Sequence, residues 1–160
     1  MSILAWRVVP RQFSEPPFNP FDGEGASMHG GRWNSKGTPV VYTSASVSLA
    51  ILEKLVHSEG KVSALLGCVM FELTIPDNLV WIVPPASLPA GWDTSAGATE
   101  LKPFGDAWVS AAQTPVMRIP SAVVATEFNF VLNPRHPEFP RLAIGGRQPL
   151  PIDPRLLGGA

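Results

Sequence analysis

The hydrophobic residues of this chain come in short runs that predict strands rather than long helices. Runs of about four to eight apolar residues bounded by proline, glycine and other turn residues are typical of strands buried in a sheet. Runs of this kind predict strands over Ile3–Val9, Leu65–Ile75, Leu79–Val83, Pro115–Ile119, Ala122–Thr126 and Phe128–Leu132. Two further extended segments, Gly30–Asn34 and Pro39–Tyr42, flank the turn Ser35–Thr38 and predict a hairpin-like pair.

A stretch with helical spacing of its apolar residues follows the hairpin. Ser44 or Ser46 can accept a hydrogen bond from the first turn of this helix and cap it. The helix is predicted to run to His57 or Ser58, after which Gly60 ends it. Its apolar residues form one broad arc, which predicts that the helix packs on a core.

A second, shorter helix is predicted from Gly105 to Gln113, with Asp106 as its cap. Phe13–Ala26 is rich in proline and glycine and predicts an ordered loop. Pro84–Ala98 has a similar composition and predicts an excursion over the surface.

The predicted strands are grouped rather than alternated with helices, so the pattern favours an α+β fold over a doubly wound sheet. The chain of 160 residues holds 14 glycines and 18 prolines, which favours short elements joined by many turns. This length suits one domain that buries a real core. We expect the core over about residues 3–145 and a loosely held tail over about residues 149–160.

Charge and cysteine content exclude several classes of protein. The net charge of −1 provides no basic field for nucleic acid, so direct DNA binding is not expected. The single cysteine, Cys68, cannot form an internal disulfide or a thiolate cluster for zinc. No apolar run approaches the ~20 residues that span a bilayer, and Met1–Arg11 lacks the apolar core of a secretory signal. We therefore expect a cytoplasmic protein.

Three residues stand out as candidates for chemistry. Arg32 follows Gly30 and Gly31, and two glycines allow the backbone to approach a ligand that the arginine fork could bind. Glu53 falls at the edge of the apolar arc of the predicted helix, where a carboxylate would face the margin of the core. Tyr42 is the only tyrosine and lies one short turn before this helix. Each also has an ordinary explanation as a surface arginine, a boundary glutamate or a tyrosine at the rim of the core.

Other polar residues carry weaker signals. The three histidines lack the spacing of metal ligands, so no metal site is expected, and His29 and His136 are predicted to be polar surface unless one acts as a general base. Ser121 lacks the context of a nucleophile elbow, which disfavours a serine hydrolase. Asn129 could be an amide that faces a ligand or one that forms a turn. Neither a GxGxxG nor a P-loop sequence is present.

Taken together, four blocks of the sequence resemble the RES-domain family, the toxin half of a bacterial toxin–antitoxin pair. The blocks extend from about Arg7 to about Pro140. They are Gly30–Asn34, Gly37–Tyr42 with the following Leu49–His57, Ile119–Val123, and Asn129 with Asn133–Pro137. The arginine, glutamate and serine for which the family is named map to Arg32, Glu53 and Ser121.

The resemblance implies a compact ADP-ribosyltransferase-like fold and an enzyme that consumes NAD+ by breaking the nicotinamide–ribose bond. By this analogy Glu53 stabilises the ribosyl cation, Arg32 grips the diphosphate or a ribose, and Tyr42 stacks on nicotinamide. Ser121 would bond within the same pocket. The second choices for NAD+ contacts are Asn34, Ser44 and Asn129.

The acceptor of the ADP-ribosyl group stays open at this point, since water, phosphate and a protein side chain share the same first bond cleavage. Pro84–Ala98 could recognise the acceptor, close as a lid or be plain surface. The resemblance also implies a cognate antitoxin with a helix-turn-helix domain, which would supply DNA binding. The alternative to an enzyme is a non-catalytic module that only binds the antitoxin. The presence of Arg32, Tyr42 and Glu53 together favours the enzyme.

Overall fold

The longest strand pair of the fold joins β1 (Ser2–Pro10) and β3 (Cys68–Pro76) in the computed structural model, which describes residues 1–95 and 99–158. The pair is antiparallel and runs in register from Ser2 opposite Pro76 to Pro10 opposite Cys68. The prediction of a strand from Leu65 was wrong at its start. Gly67 has a φ of 75°, which interrupts extended backbone, and Val62–Leu65 forms a 3-10 helix.

One mixed sheet extends from this pair to both sides. Its remaining strands are β2 (Val41–Ser44), β4 (Val80–Ile82), β5 (Val116–Pro120), β6 (Phe128–Leu132), β7 (Ala143–Ile144) and β8 (Gln148–Pro149). The order is β4-β5-β6-β2-β1-β3-β7, with β8 also paired to β3. Only the β4–β5 pairing is parallel among the described strands. This sheet, together with the three helices among the described residues, confirms the predicted α+β class.

The helices are α1 (Glu24–His29), α2 (Val47–His57) and α3 (Leu101–Ala111). The prediction of α2 is confirmed, and its cap is Ser46, whose hydroxyl accepts a hydrogen bond of 3.1 Å from the Leu49 amide. The apolar arc is wider than the buried face, because Leu52 and Val56 are 41% and 58% exposed. The predicted loop Phe13–Ala26 overlaps the start of α1.

The third helix begins four residues before its predicted start at Gly105. Pro103 lies in its first turn, where the missing amide hydrogen costs little. Asp106 is therefore not the cap: it lies inside the helix, and its carboxylate accepts a hydrogen bond of 3.0 Å from the Ser35 amide.

The predicted hairpin of Gly30–Asn34 and Pro39–Tyr42 is also wrong. Gly31 and Asn34 form only an isolated bridge with each other, and β2 pairs instead with β1 and β6. The Asn34 amide donates to the carbonyls of Ala26 and Thr38, which closes this segment into a compact loop. Side-chain bonds to the backbone of this kind replace the bonds of a strand ladder.

Ala122–Thr126 is a turn and not a strand. The hydroxyl of Ser121 accepts hydrogen bonds of 3.0 Å from the amides of both Val123 and Val124, which bends the chain directly after β5. The turn leads into β6, whose bounds agree with the prediction.

Two clusters of buried side chains hold the sheet and helices together. One fills the region around β1, β3 and β6 and includes Ala5, Leu73 and Phe130. The other packs Trp33 and Trp108 against Val131. The segment after Pro84 joins the second cluster through the partly buried Leu88 and Trp92; residues 96–98 of this predicted excursion and residues 159–160 of the predicted tail lie outside the described residues. In the described part of the chain, none of the helices has the length and apolar character needed to cross a bilayer.

Candidate functional site

A cavity of about 450 Å³ opens between α2, the loop after α1 and the start of β6. We call it the main cavity. The predicted residues Arg32, Tyr42, Glu53 and Asn129 line it together. The other three predicted residues lie behind its wall, where each contacts one of the residues at the surface: Ser121 contacts Glu53, Ser44 contacts Asn129, and Asn34 contacts Tyr42.

Glu53 is held at the cavity wall by two donors. Its Oε1 accepts a hydrogen bond of 2.8 Å from the Ser121 hydroxyl and a second, short one from the amide of Asn129. Oε2 accepts none of the hydrogen bonds made by the described residues. The prediction that Glu53 lies at the margin of the core is confirmed, since the residue is half-buried. The carboxylate thus has one oxygen anchored and one available to a ligand.

The donor and both acceptor sites of the Ser121 hydroxyl are engaged within the protein. A serine hydroxyl has one proton and two acceptor lone pairs. The proton is donated to Glu53, and the lone pairs accept from the Val123 and Val124 amides. Ser121 is also fully buried. Its position therefore suits it to orient Glu53 rather than to contact a ligand.

Tyr42 is fixed by a second group of hydrogen bonds. Its hydroxyl donates to Oδ1 of Asn34 at 2.7 Å and accepts from the Trp33 amide at 3.0 Å. Gly31 is needed beside this pair, because a Cβ at that position would lie 2.6 Å from the Tyr42 hydroxyl oxygen. Both bonds hold the Tyr42 ring in place at the cavity wall.

The ionisation of Tyr42 tests whether its hydroxyl is shielded from solvent. Burial raises the pKa of the hydroxyl above its ordinary value of 10.0, and the Asp106 carboxylate adds to the rise while the bond from Trp33 opposes it. The unfolded chain loses this proton near pH 10 and the folded chain keeps it. The unfolded state therefore binds fewer protons above pH 10, and stability falls as the pH rises.

Because Tyr42 is the only tyrosine, tyrosinate absorbance in the ultraviolet reports on this residue alone. We expect no tyrosinate at pH 10 in the folded chain and its appearance together with the loss of circular dichroism at higher pH. The variant Tyr42→Phe serves as the blank. A chain that is half-ionised at pH 10 while still folded would contradict the shielding of the Tyr42 hydroxyl from solvent.

Arg32 lies at the rim of the main cavity, where its guanidinium binds the backbone of the segment after Pro84. Nη1 donates to the carbonyl oxygens of Trp92 and Thr94 at 3.0 Å and 2.9 Å, and Nη2 lies 3.5 Å from that of Ser95. The segment predicted as a surface excursion is thus tied to the cavity rim. Arg32 retains further donors at its guanidinium for a ligand.

Arg7 is a cavity residue that the sequence analysis missed. It lines the main cavity and a neighbouring one of about 130 Å³. Its Nε donates to the carbonyl of Pro20 at 2.6 Å and its Nη1 to that of Tyr42 at 2.9 Å. No carboxylate of the described residues forms an ion pair with it. The signal in the sequence was an arginine in the middle of the apolar run of β1.

Burial lowers the pKa of Arg7 to about 10, and the Asp22 carboxylate opposes this shift. The guanidinium is therefore still a cation at neutral pH. Arg7 is half-buried beside the main cavity and forms no salt bridge among the described residues, so its charge is available to an anionic ligand in that cavity. The planar fork of arginine suits the paired oxygens of a phosphate group.

One of the histidines predicted to lie at the surface is not there. His136 is buried, with Nε2 3.0 Å from the Ala112 carbonyl and Nδ1 accepting from the Glu138 amide. Both ring nitrogens are thus occupied by the backbone, which leaves neither for a general base. Among residues 1–95 and 99–158, no three His, Cys, Asp or Glu side chains cluster as metal ligands do.

Comparisons with known proteins identify the family of the chain. Residues 4–153 match the RES domain family. A protein named "Toxin Res" from Yersinia enterocolitica is 34% identical over 156 residues, which cover 96% of this chain and 99% of that protein. The "Prs ADP-ribosylating toxin" of Sphingobium sp. is 32% identical over 139 residues, covering 84% of this chain and 85% of that protein.

A solved structure shares the fold. The match is to the crystal structure of the M. tuberculosis MbcT–MbcA toxin–antitoxin complex, with a TM-score of 0.75 and 17% identity. It covers 99% of this chain and 88% of the other. The chain therefore belongs to the RES-domain family, and it is similar along nearly its whole length to members of that family that are toxins.

Proposed function

We propose that this chain is the toxin of a toxin–antitoxin pair and that it cleaves the nicotinamide–ribose bond of NAD+ in the main cavity. The observation that carries the proposal is the Glu53 carboxylate, anchored by Ser121 and Asn129 at the wall of a cavity of about 450 Å³. A fixed carboxylate beside an aromatic ring and an unpaired arginine suits a substrate with a nicotinamide ring, a ribose and a diphosphate.

Cleavage of the nicotinamide–ribose bond requires negative charge beside the ribose. When the bond between the ribose anomeric carbon and the nicotinamide nitrogen breaks, the electron pair stays on nicotinamide, which leaves as a neutral base. Positive charge develops on the ribose, as in oxocarbenium-like transition states. Glu53 stabilises that charge without reorganising, because its donors already hold it in place. The acceptor then supplies a lone pair to the anomeric carbon and loses its proton.

Arg7 and Arg32 divide the binding of the remaining groups. The half-buried guanidinium of Arg7 binds a phosphate of the diphosphate, and the remaining donors of Arg32 bind the second phosphate or a ribose hydroxyl. Tyr42 stacks on the nicotinamide ring. This assignment extends the sequence-based one, in which Arg32 was the sole cationic residue of the site.

The variant Arg7→Lys is expected to raise the KM for NAD+ about 10- to 100-fold with little change in kcat. Lysine keeps the charge but loses the bidentate fork, and hydrogen bonds to charged groups contribute about 1.5–3 kcal/mol to binding. Steady-state kinetics on NAD+ give both parameters. Arg141→Lys is the matched control, because Arg141 is exposed and pairs only with Glu138. A folded Arg7→Lys variant with the KM of the unaltered chain would contradict the role of Arg7.

The name of one relative favours a protein as the acceptor of the ADP-ribosyl group, since the Sphingobium protein is an ADP-ribosylating toxin. Water and phosphate as acceptors would need the same first bond cleavage. The partner is a cognate antitoxin with a helix-turn-helix domain that closes the main cavity inside the bacterial cell. The solved toxin–antitoxin complex of the same fold supports a partner of this kind.

One experiment tests the reaction and separates the acceptors. The purified chain is incubated with NAD+ labelled in the adenylate half, with and without phosphate and bacterial lysate. A labelled protein band, ADP-ribose phosphate and free ADP-ribose identify protein, phosphate and water respectively. Addition of the antitoxin is expected to stop all label transfer. If NAD+ is not consumed under any of these conditions, the enzyme proposal is wrong and a binding module is favoured.

A further inference from the structure

We infer that Ser44 and Asn129 are positioning residues that act through Glu53, and that Oε2 of Glu53 is the oxygen that meets the ribose. The inference rests on the proposed function of the site. The resemblance treats Ser44 and Asn129 as contacts to NAD+, whereas the geometry points to a relay of hydrogen bonds that ends on one carboxylate oxygen.

The relay begins with a cross-strand pair. Ser44 on β2 lies directly opposite Asn129 on β6, where side chains on one face of an antiparallel pair are in reach of each other. The Ser44 hydroxyl donates to Oδ1 of Asn129 at 2.8 Å. Ser44 is buried, so water does not compete freely for this bond.

The bond from Ser44 determines which end of the Asn129 amide faces Glu53. An asparagine side chain carries an acceptor oxygen and a donor nitrogen. With Oδ1 engaged by Ser44, Nδ2 is turned toward Glu53 and donates to Oε1. Without the Ser44 hydroxyl Oδ1 has no fixed partner, so the amide is freer to move and its bond to Glu53 is less firmly held. Ser44 thus controls the donor without contacting the carboxylate itself.

Both donors to Glu53 bind the same oxygen. Ser121 and Asn129 come from opposite ends of the turn between β5 and β6 and converge on Oε1. Rotation of the carboxylate would break both bonds, so the group is locked. Oε2 accepts no hydrogen bond from any described residue. It therefore keeps its lone pairs for the ribose, and its position depends on the relay.

A double-mutant cycle on Ser44 and Asn129 tests the relay. We expect Asn129→Ala to lower kcat for NAD+ cleavage about 10- to 100-fold and Ser44→Ala about tenfold, since a displaced catalytic group costs up to about 10²-fold. The KM for NAD+ is expected to stay within about twofold, because neither residue binds the substrate in this mechanism. In the Asn129→Ala background, Ser44→Ala is expected to have no further effect.

The matched control is Thr43→Val, which removes a buried hydroxyl one residue from Ser44. That hydroxyl donates to the Phe130 carbonyl and not to the relay, so kcat is expected to be unchanged. Should Asn129→Ala fail to fold, the variant Asn129→Asp retains the shape of the side chain, replaces the donor by an acceptor that repels Glu53, and is expected to lower kcat at least as much. Independent, additive effects of Ser44→Ala and Asn129→Ala, or a rise in KM alone, would overturn the inference.

A second readout needs no turnover. The NMR signals of the Asn129 side-chain amide are expected to move in Ser44→Ala and in Glu53→Gln, and to stay in place in Thr43→Val. If the unaltered chain consumes no NAD+ while these shifts occur, the proposed function fails and the positioning role of Ser44 stands. If the signals do not respond to Ser44→Ala, the positioning role is wrong whatever the activity.

Discussion

Replacement of Glu53 by glutamine is expected to lower the rate of NAD+ cleavage about 10²- to 10³-fold while NAD+ binding is retained. Glutamine has nearly the same shape but carries no charge, so the developing positive charge on the ribose loses its counter-charge. Removal of one preorganised electrostatic group from an active site has an effect of this size. The side-chain oxygen of glutamine can still accept from Ser121 and Asn129, which preserves the local structure.

Two measurements on Glu53→Gln separate binding from catalysis. Single-turnover consumption of NAD+ gives the chemical step, and titration of the variant with NAD+ gives the dissociation constant. The matched control is Glu59→Gln, because Glu59 lies just beyond α2 and pairs only with exposed Lys61. Unchanged turnover in Glu53→Gln would rule out the electrostatic role of the carboxylate.

Replacement of Gly105 by alanine is expected to destabilise the fold strongly. A Cβ at Gly105 would lie 1.8 Å from the carbonyl oxygen of Trp33, an atom of the backbone that has no rotamer to relieve the clash. Overpacking costs about 1–3 kcal/mol and occasionally more, and we expect the upper end here. For a chain of this size, 3 kcal/mol corresponds to a fall in Tm of about 6–12 °C.

The clash caused by Gly105→Ala is also expected to affect the candidate site. Trp33 donates its amide to the Tyr42 hydroxyl, so a displaced Trp33 backbone is expected to loosen Tyr42 and weaken NAD+ binding. Thermal unfolding followed by circular dichroism measures the stability. Gly25→Ala is the control, since Gly25 lies in α1 and no atom is within 4 Å of the added Cβ; it is expected to stabilise by about 0.4–1 kcal/mol. Equal Tm values for the two variants would refute this packing of α3.

The helix that carries Glu53 shows what local pattern can predict. The spacing of apolar residues in α2 and the capping ability of Ser46 depend on the local chain alone, and both are confirmed. The same holds for β6, whose bounds follow from an apolar run between turns. The start of α3 was predicted wrongly because the role of Gly105 depends on a tertiary contact. Gly105 suggested a helix boundary, whereas its absent side chain serves the contact with Trp33.

Arg7 illustrates a residue whose importance depends on its surroundings. In the sequence it is one polar residue within an apolar strand. In the folded chain the main cavity lies beside it, burial lowers its pKa to about 10, and its hydrogen bonds go to the carbonyl oxygens of Pro20 and Tyr42. Neither the position beside the cavity nor the lack of a salt bridge within the described residues can be read from spacing.

The sequence by itself determined the α+β class, most strands, the helix bearing Glu53 and, through the family resemblance, the set of residues to inspect. Tertiary structure decided which of those residues line the cavity and which hold Glu53 in position. Ser121 and Asn129 are 68 and 76 residues from Glu53 in sequence and meet at one of its oxygens. Periodicity reports the local backbone and the face that is buried, whereas these contacts arise from the order in which distant strands pair. The orientation of the Glu53 carboxylate is therefore a property of the sheet and not of the helix that carries it.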